Sequence, residues 1–369
     1  MNQEPIEHQK SISKRILLNP GPGTTSKRIK EAQIVEDICP RENEFGQVMI
    51  DICDGLLKIG KGTDTHNVAL FGASGTGAME ATLVSALGKD DSVLILTNGA
   101  YGIRMNAICN EYGINCSTLF EYGDVLDLDL ISQTLEKGKH THLIVVHHET
   151  STGMMNPLDE ITKLCKSKEV KIIVDAMSSF GAYPMNLSEL GVDYLFSSSN
   201  KCIHGFAGLS YVIFHKDRTE ELKKNSKAFY FDVYKQWENL QKKNQLRFTP
   251  PVQTCYAFKE AIEETLEEGV ENRWERYKAN WQILFDGFKK IGFKPFLEDR
   301  DQSKILLALD IDSSFDFNKF HDFLFENGIT IYPGVIPEIN TFRVAVIGDL
   351  YPEDMNYVIE KSAEYFKVQ

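Results

Sequence analysis

The chain has 369 residues, 42% of them hydrophobic and 25% charged, which is enough apolar material for a large domain plus a smaller one and too much for a disordered chain. Its 53 acidic residues outnumber 40 basic ones, and the net charge of −13 argues against a general binder of nucleic acid or anionic membrane, whose phosphates reward excess Lys and Arg. There is no apolar run of about 18 residues and no charged-then-apolar leader, so neither a membrane span nor a secretory signal is expected and a cytoplasmic location follows.

Residues 1–15 are polar without a period and read as a mobile N-terminal arm, with structure expected from Ile16 into Leu17-Leu18-Asn19-Pro20-Gly21-Pro22. Apolar strand-like runs then alternate with helical spacing. The runs are Val68 to Phe71, Ser92 to Leu96, Leu143 to Val146, Lys171 to Val174, Tyr194 to Phe196 and Ser210 to Phe214. Between them, Gly77 to Leu87, Arg104 to Tyr112, Leu128 to Leu135 and Leu158 to Lys168 have helical periodicity, with Pro157 at a helix start. Such alternation predicts an α/β fold with a mostly parallel sheet and crossover helices. A helical stretch from Gln253 to Phe288, with Gly269 as a possible interruption, leads to a second module. That module contains Leu306 to Leu309, a helix from Phe317 to Asn327 ended by Gly328, Ile329 to Tyr332, Thr341 to Ala345 and a last helix from Pro352. The expected division is a large α/β domain over 16–275 and a small C-terminal α+β domain over 276–369.

Three features carry chemistry. Phe71-Gly-Ala-Ser-Gly-Thr-Gly-Ala-Met-Glu80 follows a strand and opens a helix, so Ser74, Gly75 and Thr76 are placed to cradle a phosphate, although the glycines could equally serve tight helix-to-sheet packing. The segment lacks the Gly-Lys-Ser/Thr of a nucleotide phosphate loop and the glycine spacing of the dinucleotide fingerprint. Asp175 ends the buried run Lys171-Ile-Ile-Val-Asp, and Lys201 lies 26 residues later at the end of Tyr194-Leu-Phe-Ser-Ser-Ser-Asn-Lys. A buried Lys is costly unless neutralised. A Schiff base with a cofactor aldehyde removes its charge, and Asp175 offers an acidic partner for a pyridinium nitrogen. In a parallel sheet these strand ends share one crevice.

Two further strand ends join them, Asn98-Gly-Ala-Tyr101-Gly and His147-His-Glu-Thr150-Ser-Thr-Gly153. Tyr101 could stack on a pyridine ring and Thr150 could bond a phenolic oxygen, while a core position and a turn position are their plain alternatives. His147-His148-Glu149 suggests a metal, but neighbours on a strand point to opposite faces and no partner cluster is apparent, so no metal is expected. The seven Cys are scattered without paired metal spacing and read as reduced thiols.

Together these segments resemble the class V aminotransferases of pyridoxal-phosphate fold type I, and within them the transaminases of 2-aminoethylphosphonate and pyruvate. The carrying stretches are Asn19-Pro-Gly-Pro22, Leu94 to Gly102, Glu149 to Met154 with Asn156-Pro157, Val174-Asp-Ala-Met-Ser-Ser-Phe-Gly181, Ser198-Ser-Asn-Lys-Cys-Ile203, Leu246-Arg-Phe-Thr-Pro250 and Tyr332-Pro-Gly334. The resemblance implies pyridoxal 5'-phosphate as cofactor, Lys201 as its Schiff-base lysine and Asp175 as partner of the ring nitrogen. It implies that Ser74, Gly75 and Thr76 hold the phosphate with Asn200 beside it, and that Thr249 reaches the phosphate of a neighbouring subunit in a homodimer with shared sites. Arg343 matches the arginine that binds the substrate anion, and Gly21 lies in the substrate-binding segment. The implied reaction converts 2-aminoethylphosphonate and pyruvate to phosphonoacetaldehyde and L-alanine.

The sequence departs from the family pattern at Gly23, at Ala73, Thr76 and Gly77, and over Glu36 to Glu44. Three rivals remain open at this stage. They are a serine or alanine aminotransferase using glyoxylate or pyruvate, a desulfurase using Cys202 beside Lys201, and a cofactor-binding regulator without activity.

Overall fold

The computed structural model describes residues 15–312 and 315–368, so the N-terminal arm expected over 1–15 lies, but for its last residue, outside the described residues. A seven-stranded sheet organises the chain. Its strands are β1 (His66–Phe71), β2 (Val93–Leu96), β3 (Cys116–Leu119), β4 (His142–Val146), β5 (Lys171–Asp175), β6 (Tyr194–Ser198) and β7 (Ser210–His215). The spatial order is β1-β7-β6-β5-β4-β2-β3. All pairings are parallel except those of β7, which runs against both β6 and β1. The expected mostly parallel α/β sheet is therefore present.

Alternating residues along each strand enter two separate cores. Val68, Leu70, Leu94, Leu96, Leu143, Val145, Ile172, Val174 and Leu195 face one cluster, and Ala69, Phe71, Val93, Ile95, Ile144, Val146, Ile173 and Phe196 face the other. Helices cover both faces, which is why these strands are continuously apolar rather than alternating. Because β7 reverses direction between β6 and β1, strands β1, β2, β4, β5 and β6 all end at one edge of the sheet. The segments after them meet there.

Several elements differ from expectation. Three crossover helices start earlier or end later than the periodicity suggested, at Gly75–Ala86, Ala100–Glu111 and Leu128–Lys137, while the fourth, Leu158–Ser167, starts as expected and ends one residue sooner. Helices Asn43–Ile59, Thr219–Asn225 and Val233–Lys243, and the half-exposed edge strand β3, were not anticipated. The long helical stretch is two helices, Val252–Glu268 and Val270–Ile291, parted at Gly269 with φ +80°. That backbone region is open to glycine and costly for other residues, so the sequence break and the structural break coincide.

A third core surrounds Tyr277, Trp281, Phe288, Phe320 and Phe342, with the antiparallel strands Leu306–Asp310 and Thr341–Ala345 at its centre. Ile16 and Leu18 are also part of this core. Ile16–Leu17 pairs in parallel with Ile329–Thr330, and Ala345 N–H donates to Leu18 C=O at 2.9 Å. The Ile16–Leu18 segment is thus tied to the C-terminal module and leads the Asn19–Gly23 segment to the sheet's carboxyl edge.

Candidate active site

Lys201 sits three residues past β6 in a loop closed by its own backbone. Ser199 N–H donates to Leu209 C=O at 3.1 Å, Gly205 N–H to Ser199 C=O at 2.8 Å, and His204 N–H to Lys201 C=O at 2.9 Å. The amine itself donates to Pro20 C=O at 2.9 Å. Burial lowers the pKa of Lys201, opposed by Cys202 and Asp175 and reinforced by Arg343 and Arg104. Gly21 lies against it with φ +132°, where an added Cβ would be 2.3 Å from Lys201 Nζ. Cys202 is buried beneath, donates its S–H to Ser178 C=O at 3.2 Å, and burial pushes its pKa up to about 12. Such a thiol stays protonated and packed, which does not suit desulfuration.

Asp175 ends β5 fully buried. One carboxylate oxygen accepts from Met177 N–H at 2.8 Å, and Oδ2 has no protein partner. Burial raises its pKa to about 7, with Glu149 adding to the rise while the Met177 hydrogen bond, Lys201 and Arg104 oppose it. A buried carboxylate oxygen without a partner is costly, and a cationic N–H group would satisfy it.

The loop after β1 leads into helix Gly75–Ala86, whose N-cap, Ser74, makes no side-chain cap bond. The free N–H groups and the positive end of the helix dipole favour an anion. A Cβ on Gly75 would come within 2.5 Å of Met177 Sδ, and one on Gly77 within 2.8 Å of Ala73 Cβ. The glycines therefore serve close packing as well as an open cradle. Ser74 and Thr76 are exposed at its mouth. Asn200 is beside the same edge, its Oδ1 accepting from Ser198 Oγ at 3.0 Å and its C=O from Gly23 N–H at 3.1 Å. Thr249 is exposed on its own chain.

On the opposite side Arg343 rises from the strand Thr341–Ala345, only 8% exposed, and Nη1 donates to Thr150 C=O at 3.1 Å. Its guanidinium carbon lies 5.0 Å from the Tyr332 ring centroid. Arg343 forms no ion pair among the described residues, and burial lowers its pKa. Thr150 is buried and reaches Arg343 through its carbonyl. Tyr101 is half-buried at the start of helix Ala100–Glu111, and its N–H donates to Glu149 Oε2 at 3.2 Å. Glu149 is wholly buried and also accepts from Ser151 N–H at 3.0 Å and Ser151 Oγ at 2.6 Å. It is a scaffold carboxylate joining the Tyr101 and Thr150 loops. His147 and His148 are held neutral by burial at pKa values of about 3 and 4, with Nδ1 of His148 donating to Ser178 C=O at 3.1 Å. No group of three His, Cys, Asp or Glu is arranged for a metal among the described residues.

A buried amine, an acid with an unpartnered oxygen and an unpaired guanidinium are thus electrostatically coupled, and Arg104, bonded to Thr76 at the uncapped helix start, acts on the first two. The family model for "Aminotransferase class-V" matches residues 57–336. The chain belongs to the class V aminotransferase family. A Phocaeicola vulgatus protein named 2-aminoethylphosphonate--pyruvate transaminase is 40% identical over 352 residues, covering 94% of this chain and 97% of that one. A Bacteroides fragilis protein of the same name is 39% identical over 362 residues, covering 95% and 99%. Among solved structures, an alanine--glyoxylate aminotransferase from Nostoc sp. superimposes with a TM-score of 0.88 at 25% identity, covering 99% of this chain and 98% of that one.

In this class V aminotransferase the electrostatic couplings of Lys201 reach Asp175, Arg343 and Arg104, which brings together residues from β5, the C-terminal module and helix Ala100–Glu111. Sequence reasoning did not find Pro20, Glu149 or Arg104. Glu149 stood in a motif weighed for metal binding and set aside, and in a stretch that carries the family resemblance without a role of its own. Arg104 was visible only as a helical neighbour three residues after Tyr101.

Proposed function

We propose that this aminotransferase uses pyridoxal 5'-phosphate to move the amino group of 2-aminoethylphosphonate to pyruvate, giving phosphonoacetaldehyde and L-alanine. The names of full-length relatives at about 40% identity support the substrate pair. The unpartnered Asp175 Oδ2, the uncapped cradle and the buried Lys201 amine fit the cofactor. Ser74, Gly75, Thr76 and Asn200, with Thr249 of the partner subunit, would hold its phosphate. Tyr101 would cover the ring, Thr150 would lie by the phenolic oxygen, and Asp175 would hold the ring nitrogen protonated. When bound, the group supplies an aldehyde that condenses with amines and a cationic ring that draws electrons from the adjoining carbon.

Lys201, once freed by the incoming amine, is positioned as the proton carrier. Burial holds Nζ below its usual basicity, so a neutral amine is accessible to take a proton from the substrate carbon that bears nitrogen. That carbon in 2-aminoethylphosphonate has no carboxylate, so proton removal is the available route. In the second half-cycle the same amine delivers a proton to the former keto carbon of pyruvate. Asp175 would stay ionised through both halves, its unpartnered Oδ2 serving the protonated ring nitrogen. Arg343 orients a phosphonate in one half and a carboxylate in the other, both matched by its planar fork. The observation that carries this reading is Arg343, a mostly buried guanidinium with no ion pair among the described residues, facing the Lys201–Asp175 pair.

The same reading makes the protein a cytoplasmic homodimer. Support comes from Thr249, exposed on its own chain, and from its neighbours Phe229, 77% exposed, and Tyr230, whose hydroxyl donates to Gly72 C=O at 3.1 Å beside the cradle. The deciding experiment is a half-reaction titration of the cofactor-loaded protein, following its visible absorbance. 2-Aminoethylphosphonate should bleach it rapidly, as should alanine by reversal of the second half-reaction, and serine slowly. Rapid bleaching by those amino acids with none by the phosphonate would sink the assignment in favour of a serine or alanine aminotransferase.

A further inference from the structure

We propose that Arg104 is a cationic anchor for the cofactor phosphate, acting across the cradle from the helix start at Gly75. The inference rests on the pyridoxal-phosphate reading above and adds a residue to it. Arg104 projects from helix Ala100–Glu111 one turn after Tyr101, and its guanidinium carbon lies 5.0 Å from the Tyr101 ring centroid. Nη1 donates to Thr76 Oγ1 at 3.3 Å, which sets the guanidinium at the first turn of helix Gly75–Ala86. Arg104 therefore touches both the residue placed to cover the ring and a hydroxyl of the cradle.

The placement is unfavourable without an anion. The N-terminal end of a helix carries partial positive charge, and a cation beside it is repelled. Here the helix start has no side-chain cap and no acidic residue in its first turn, and Arg104 forms no ion pair among the described residues. Arg104 also acts on the interior, since its charge lowers the pKa values of both Asp175 and Lys201. A positive side chain, a positive helix end and free backbone donors thus converge, and among the described residues no carboxylate forms an ion pair with Arg104. A phosphate dianion at that point reverses every one of these repulsions. Guanidinium presents five N–H donors, and the one contact to Thr76 leaves the fork available for phosphate oxygens. The contact with the Tyr101 ring then couples the phosphate position to the ring position.

The test compares pyridoxal phosphate with pyridoxal, which lacks the phosphate, on the full chain stripped of cofactor, reading bound ligand by visible absorbance and tryptophan fluorescence. The wild type is measured first. Arg104→Gln should weaken pyridoxal phosphate by about 10- to 100-fold and leave pyridoxal affinity unchanged. Arg104→Lys, which keeps the charge without the fork, should recover part of the loss. Equal weakening of both ligands would overturn the proposal and leave Arg104 as a support for Tyr101 alone. Unchanged affinity for pyridoxal phosphate in Arg104→Gln would also overturn it. A wild type that binds neither ligand would overturn the cofactor reading itself, an outcome visible before any variant is compared.

Discussion

The amine of Lys201 donates a 2.9 Å hydrogen bond to the carbonyl oxygen of Pro20, which ties the end of the large sheet to the segment clasped by the C-terminal module. Leu18 C=O accepts from Ala345 N–H at 2.9 Å, and Arg343 lies two residues before Ala345 on the same strand. The Lys201 amine and the Arg343 guanidinium are therefore both tied to hydrogen-bonded neighbouring segments of the small module. Any change in how that module sits alters both together.

Gly21→Ala tests this junction. The residue has φ +132°, and a Cβ would fall 2.3 Å from Lys201 Nζ and 2.6 Å from Cε. Backbone strain of about 1–3 kcal/mol should lower the melting temperature. Displacement of the amine should lower kcat by about 100-fold or more, since misplacement by about 1 Å is enough for such a loss. A variant with wild-type kcat, assayed by alanine formation, would show that the amine does not need this approach.

Asp175 should make the cofactor-free protein lose stability as pH rises. Burial lifts its pKa from 3.8 to about 7, against Met177 N–H, Lys201 and Arg104. Between those values the folded chain holds a proton that the unfolded chain has released. Stability then falls with rising pH, by up to about 4 kcal/mol across the window. Asp175→Asn removes the titration, so the unfolding free energy of wild type relative to the variant should fall from pH 4 to pH 7, leaving the variant the more stable of the two at pH 7. A difference that stays constant over that range would show that Asp175 ionises normally. With cofactor bound, the ring cation favours the ionised carboxylate and the slope should flatten.

The parts legible in the sequence were those where one residue type had no substitute. Strands β1, β2, β4, β5, β6 and β7 announced themselves as unbroken apolar runs because both faces of the sheet are covered. Asp175 and Lys201 stood out as charges ending such runs. The edge strand β3, Cys-Ser-Thr-Leu, is half exposed and had no apolar run to mark it. Helix Asn43–Ile59 was hidden by Gly46 and Gly55, and its N-cap Glu42 makes no side-chain cap bond. Gly55 is required by packing rather than by local propensity, since a Cβ there would meet Ile262 Cγ2 at 2.3 Å. The pairing of Ile16–Leu17 with Ile329–Thr330 spans nearly the whole chain and leaves no local trace. Arg104 was illegible for a related reason, because its partner Thr76 belongs to another helix.

Arg343→Ala should weaken both substrates rather than one. The variant loses the contact to Thr150 C=O and, on the proposed function, the hydrogen bonds to the substrate anion. A charge-assisted pair contributes about 1.5–3 kcal/mol, so KM for 2-aminoethylphosphonate and for pyruvate should each rise by about 10- to 100-fold. Arg343→Lys should recover little, since a point charge cannot reproduce the fork. Unchanged KM values for both substrates would remove Arg343 from the anion site.

Arg273 should control the lysine loop from below. It is 2% exposed, and Nη1 donates to Cys202 C=O at 2.7 Å and to Thr265 Oγ1 at 2.9 Å, while Nε pairs with Glu268 at 2.7 Å. One buried guanidinium thus fixes the residue next to Lys201 to the joint between helices Val252–Glu268 and Val270–Ile291. Arg273→Met keeps much of the volume but strips Cys202 C=O of this side-chain donor. Breaking a buried pair costs about 3–5 kcal/mol, and the loss here should fall at the lower end because Arg276 still pairs with Glu268 at 2.7 Å. Urea unfolding should register that loss. Because the freed carbonyl adjoins Lys201, kcat should fall more than KM rises, whereas a change confined to the distant helices would leave both constants alone. Wild-type stability in Arg273→Met would mean that the loop is held by Ser199 and Gly205 without help from below.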